Sequence, residues 1–139
     1  MKNIAQMFEG PAHNLVWKNR YNEIIDEVYD KYDELFDSYY PAFSAPYPKR
    51  LTKEELVQEI KNGGKVIQEY ELGVKITERE LSFKERQNYG IDILGYESLL
   101  DYGHSQNDDD IILELLNIWN VPTKKYRLEY KNEIVEYYE

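Results

Sequence analysis

Residues 19–40, from Asn19 to Tyr40, read NRYNEIIDEVYDKYDELFDSYY. Apolar side chains fall at Tyr21, Ile24, Ile25, Val28, Tyr29, Tyr32, Leu35, Phe36, Tyr39 and Tyr40. Those steps of three and four are the helical period, and the spacing predicts an amphipathic helix over 19–40. Its polar face carries Glu23, Asp26, Glu27, Asp30, Asp33, Glu34 and Asp37, with Lys31 as the only base among them. A solvated helix usually intersperses opposite charges four residues apart; like charges there cost about 0.2–0.5 kcal/mol per pair. This face therefore calls for compensation, from elsewhere in the chain or from a partner.

The rest of the charge has the same uneven distribution. The net charge is −10. Residues 21–40 hold seven acids and one base, residues 91–120 hold seven acids and no base, and the remaining segments together are slightly basic. An acidic surface repels nucleic acid and anionic membrane and attracts basic surfaces. We therefore expect neither direct nucleic-acid binding nor membrane binding. The expected partner is a basic nucleic-acid-binding protein or nuclease.

A length of 139 residues with 42% apolar composition predicts a single domain, 1–139, with one core. The absence of cysteine removes disulfides and thiolate metal sites and fits a cytoplasmic setting, in a bacterial cell or the host cell of a phage. No apolar run reaches the roughly 18 residues of a membrane span, and the N-terminus has no signal-peptide core.

Outward from the long helix, Gly10-Pro11 reads as a break, and Leu15, Val16 and Trp17 as a short apolar contact. His13 beside that break reads as an ordinary surface residue. Three prolines at Pro41, Pro46 and Pro48 set an extended path, with Tyr39, Tyr40, Phe43 and Tyr47 making it aromatic. The loop either folds its rings onto the core or offers them as a contact.

Thr52 and Glu55 form a capping box, with Leu51 and Leu56 as its hydrophobic staple, opening a helix over 52–62 that ends at Asn62-Gly63-Gly64. Residues 65–72 read as a strand, with Val66, Tyr70 and Leu72 on one face. Residues 74–88 are open between two readings. Thr77 and Glu80 suggest a cap for a helix over 78–88, whereas Val74 and Ile76 suit a second strand. A short helix is expected near 95–102, and another over 108–119, buried through Ile111, Ile112, Leu115, Leu116 and Trp119. Tyr126, Leu128 and Tyr130 alternate with Arg127 and Glu129, and with the return over Ile134 to Tyr138 they predict a hairpin turning at Lys131-Asn132-Glu133. The expected fold is α+β: one small domain with a long acidic amphipathic helix and shorter helices packed on a small antiparallel sheet containing 65–72 and 125–138.

Catalytic motifs are absent. The chain has no phosphate-binding glycine loop, no nucleophile elbow and no HExxH zinc motif. With no cysteine and only His13 and His104, nucleophile–base pairs are nearly out of reach. Asp108, Asp109 and Asp110 do not fit a calcium loop, because positions six and twelve from Asp108 would be Leu113 and Trp119. Acids there are explained by a helix N-terminus. No metal, cofactor or enzymatic activity is expected.

The acidic helix face has a physical reading of its own. Side chains three and four apart stand about 5–6 Å from one another, and duplex DNA carries a phosphate about every 3.4 Å along each strand. The row is comparable in charge density to a phosphate backbone. The resulting expectation is an acidic inhibitor that blocks the nucleic-acid-binding surface of a basic partner. It would dock through Glu23, Asp26, Glu27, Asp30, Asp33, Glu34 and Asp37, joined by Asp108, Asp109 and Asp110. In charge, size and lack of a catalytic motif the chain is similar to the anti-restriction and anti-CRISPR proteins of phages, a likeness carried by no individual residue. Two alternatives stay open: an immunity protein or antitoxin neutralising a basic nuclease toxin, and a structural or assembly subunit without catalytic activity.

Overall fold

The computed structural model describes residues 10–40, 46–94, 114, 116–117 and 120–139, and side chains from residue 13 onward except those of 91–94. In chain order the elements are α1 (Gly10–Tyr39), α2 (Lys53–Lys61), α3 (Lys65–Tyr70), β1 (Val74–Glu80), α4 (Phe83–Leu94), β2 (Lys124–Tyr130) and β3 (Glu133–Tyr138). The strands form one antiparallel sheet in the order β1-β2-β3, so the fold is a small α+β one.

The chain divides into two compact units. One comprises Asn19–Thr77 and Arg127–Val135, the other Met1–Lys18, Glu78–Tyr126 and Glu136–Glu139.

In the first unit the periodicity of α1 sets the core. Ile24, Val28, Tyr32 and Phe36, one turn apart, are all at most 2% exposed, and Tyr21 and Ile25 are buried beside them. Burying each such side chain stabilises the fold by about 1.5–3 kcal/mol. Tyr32 meets Tyr70 edge-on at 5.4 Å between ring centroids. Two tyrosines of α1 clasp the backbone that enters α2: the Tyr29 hydroxyl donates to the Leu51 carbonyl at 3.2 Å, and the Leu51 N–H donates to the Tyr32 hydroxyl oxygen at 2.9 Å.

The Thr52–Glu55 capping box forms as expected, with the Glu55 N–H on the Thr52 hydroxyl and the Thr52 N–H on the Glu55 carboxylate. The helix ends in a Schellman arrangement. Gly63 N–H donates to Ile60 and Gly64 N–H to Glu59, with Gly63 at φ +66, a conformation that costs any residue with a Cβ.

Residues 65–70 are helix, not strand. Val66 and Tyr70 are four apart and share a helical face as readily as a strand face, so six residues do not separate the two periods. Glu71 then turns left-handed at φ 50. True period-two burial begins after that turn, with Leu72, Val74 and Ile76 buried and Gly73, Lys75 and Thr77 exposed. The sheet thus contains 74–80 in place of 65–72, and the open question over 74–88 resolves into a strand followed by a helix. Thr77 lies inside β1. The capping box there is Ser82–Glu85, in which the Glu85 N–H donates to the Ser82 hydroxyl and the Ser82 N–H to the Glu85 carboxylate.

The hairpin lies where its alternation placed it. Lys131 and Asn132 both have positive φ, at 50 and 65, as a two-residue type I′ connection requires. Leu128, Tyr130 and Val135 are buried.

In the second unit, Leu81, Tyr89, Leu116, Val121, Tyr137 and Tyr138 are buried. The buried Glu136 carboxylate pairs with Lys125. Gly10-Pro11 opens α1 rather than interrupting the chain, because proline is tolerated in the first helical turn. Leu15 and Val16 are 57% and 62% exposed, not an apolar contact. Glu114, Leu116 and Asn117 are helical. The remainder of the 108–119 helix, the 95–102 helix and Phe43 lie outside the described residues.

Candidate acidic interface

All seven carboxylates singled out on α1 lie in the unit built from Asn19–Thr77 and Arg127–Val135. Glu23, Asp26, Glu27, Asp30, Glu34 and Asp37 are exposed, and Asp33 is half-buried. The helix brings them together on one face, as its period requires. Asp108, Asp109 and Asp110 lie outside the described residues.

Folding supplies much of the missing compensation. Arg20 bridges Glu23 at 3.1 Å and Glu133, its Nε and Nη2 reaching the latter carboxylate at 2.8 and 2.6 Å. Lys53 pairs with Asp26, and Lys131 with Glu27 at 2.8 Å. Arg50 spans two carboxylates one turn apart, Asp33 at 2.8 Å and Asp37. Each cation is held more firmly in its charged form. The Glu133 and Glu23 carboxylates raise the pKa of Arg20, those of Asp33 and Asp37 raise Arg50, Asp26 raises Lys53, and Glu27 raises Lys131. Conversely, Arg20 lowers the pKa of Glu133.

Lys31, the base within the acidic stretch, gives its ammonium to backbone carbonyls rather than to a carboxylate of the row. Its Nζ donates to the Glu71 and Leu72 carbonyls at 3.3 and 3.4 Å, at the left-handed turn that follows α3. Asp30 and Glu34, one turn apart, have no cation within 4 Å among the described residues. They line a shallow open groove together with Glu27, Asp33, Lys31, Tyr130 and Lys131.

Aromatic rings accompany three of the cations. The Arg50 guanidinium lies 4.7 Å from the Phe36 ring centroid, Lys53 Nζ 5.8 Å from Tyr29 and Lys131 Nζ 5.1 Å from Tyr130. Each cation therefore meets both a carboxylate and an aromatic ring, and both attract positive charge.

No local sequence pattern assigns these cations to the acidic row. Lys49-Arg50 and Lys53 follow the proline-rich stretch closely and were visible as a basic cluster. Lys131 is 104 residues from Glu27, and no local pattern pairs them. Among the described residues no group of three or more His, Cys, Asp or Glu is placed to hold a metal ion, and no helix is long and apolar enough to cross a membrane. Compared with family models, curated proteins and solved structures, the chain matches none.

Proposed function

We propose that this protein is a non-catalytic acidic inhibitor. The polar face of α1 docks on the nucleic-acid-binding surface of a basic partner, with carboxylates standing where phosphates would stand. The observation that carries this reading is the exposed Asp30–Glu34 pair. The chain matches the other five acids of the row with its own cations, whereas at Asp30 and Glu34 two like charges one turn apart face solvent, a placement that opposes helix stability. That is where a partner's positive charge would bring the most relief. The exposed pairs on either side cost little to exchange, since ion pairs in high dielectric contribute little net stability. Such a surface predicts fast, salt-sensitive association.

The test is displacement of a labelled DNA duplex from a panel of purified restriction nucleases, CRISPR effectors and nuclease toxins, read by gel shift. Wild type is expected to displace DNA from at least one of them at low salt, with the effect fading as salt rises, and Asp30→Lys/Glu34→Lys to lose it. Displacement from none, or displacement indifferent to the double reversal, overturns the proposal.

A further inference from the structure

The Arg50 site differs from the other cation contacts with the acidic row of α1, since Arg20 meets only Glu23 of that row and takes its other carboxylate, Glu133, from β3. Lys53 and Lys131 each meet one carboxylate of the acidic row, as point charges. Arg50 uses both terminal guanidinium nitrogens, Nη1 on Asp33 at 2.8 Å and Nη2 on Asp37, with its Cζ 4.7 Å from the Phe36 ring centroid. Phe36 is itself 2% exposed and fixed by its place in the α1 core. Tyr47 packs on the same ring edge-on at 6.4 Å. Two carboxylates one helical turn apart and a rigid ring, all meeting one guanidinium, match a planar fork of N–H donors, and an ammonium group cannot span them in the same way.

We propose that Asp33, Phe36 and Asp37 form an arginine receptor, occupied in the free protein by the chain's own Arg50, and that an arginine side chain of the basic partner takes its place on docking. This rests on the docking reading above and names its central contact.

Three observations make Arg50 exchangeable. Residues 46–50 are exposed throughout, so moving the segment gives up little beyond the Arg50 and Tyr47 contacts on Phe36. The Arg50 side chain is 40% exposed and that of Asp37 68%, so the pair forms in high dielectric and is replaced at little net cost. The receptor half, by contrast, is built on a long helix whose Phe36 and Tyr32 are buried, and so it stays in place when the guanidinium leaves. Tyr39 and Tyr47, 52% and 46% exposed, offer further aromatic surface to an incoming arginine-rich segment.

The experiment measures binding of fluorescent deca-arginine and deca-lysine to wild type, Arg50→Ala, Arg50→Gln and Asp33→Asn/Asp37→Asn, by anisotropy at fixed low salt. Circular dichroism checks that each variant is folded, and Arg50→Gln carries the test if Arg50→Ala does not fold. Vacating the receptor is expected to tighten deca-arginine binding about fivefold, with a distinctly smaller gain for deca-lysine. The double Asn variant is expected to lose the preference for arginine. No gain for deca-arginine overturns the proposal, as does an equal gain for both peptides, which removal of one positive charge would give by itself. A negative gel-shift panel with the arginine preference intact overturns the mimic reading alone. Displacement of DNA without that preference overturns the receptor alone.

Discussion

The side-chain amide of Asn14 pairs with the backbone of Tyr138 as a neighbouring strand would. Asn14 Nδ2 donates to the Tyr138 carbonyl at 2.6 Å, and the Tyr138 N–H donates to Asn14 Oδ1 at 2.7 Å. A strand at the edge of a sheet leaves such groups unpaired and open to another chain, and here the first turns of α1 close one such position on β3. Asn14→Ala leaves both backbone groups without their partner in a part-buried setting. We expect it to lower stability by about 1–3 kcal/mol, measured by urea denaturation, with Asn14→Asp no remedy, because its second carboxylate oxygen would face the Tyr138 carbonyl oxygen with no proton to donate.

The two capping boxes are expected to respond alike. Thr52→Ala and Ser82→Ala each remove the oxygen that receives the N–H of Glu55 or Glu85. Each should cost about 1 kcal/mol. A Ser82→Ala variant as stable as wild type would show that α4 does not depend on its box.

Acid should weaken the fold through Glu85. Arg79 grips its carboxylate through two nitrogens, at 2.9 and 2.7 Å, and this outweighs partial burial to hold the carboxyl at about 2, against an ordinary 4.5. The folded pKa is depressed, so the contribution is present above pH 4.5 and is lost as pH falls from there through about 2. Glu85→Gln should flatten the dependence of Tm on pH across that window. At the alkaline end, burial, aided by the Glu136 and Glu85 carboxylates, pushes Tyr138 up to about 12. Stability should fall as pH rises from 10 through 12, and less so in Tyr138→Phe.

The hairpin turn constrains Asn132 more than its exposed position suggests. At φ 65 an alanine would carry the left-handed penalty of about 1–2 kcal/mol, while glycine adopts that region freely. Thermal denaturation should rank Asn132→Gly well above Asn132→Ala.

Removing compensation from the acidic face should show in the salt response. Lys53→Met and Lys131→Met leave Asp26 and Glu27 without the cations that now meet them. Their loss of Tm should be visible at low ionic strength and shrink at high salt, where exposed charges are screened within about 3–10 Å. A loss of Tm equal at both salt concentrations would assign it to packing of the lysine stems.

The elements legible in the amino-acid order are those whose signals are local and redundant. The long helix has buried positions at Ile24, Val28, Tyr32 and Phe36, repeated over enough turns that no other period fits. The second helix carries a capping box at one end and a left-handed glycine at the other, and the hairpin's first strand alternates up to a turn that accepts positive φ. Tertiary structure decided the rest. Val66 and Tyr70 satisfy helix and strand equally over six residues, and the left-handed Glu71 followed by buried Leu72 separates them. Ser82–Glu85 was legible as a box, but the same signature at Thr77–Glu80 competed with it, and only sheet pairing places Thr77 in a strand. For the acidic face, sequence could place seven carboxylates in a row but not the charges that answer them. Arg20 meets Glu133 across 113 positions and Lys131 meets Glu27 across 104. Such pairing depends on distance in space, and a linear chain brings those residues together only once its apolar faces are buried.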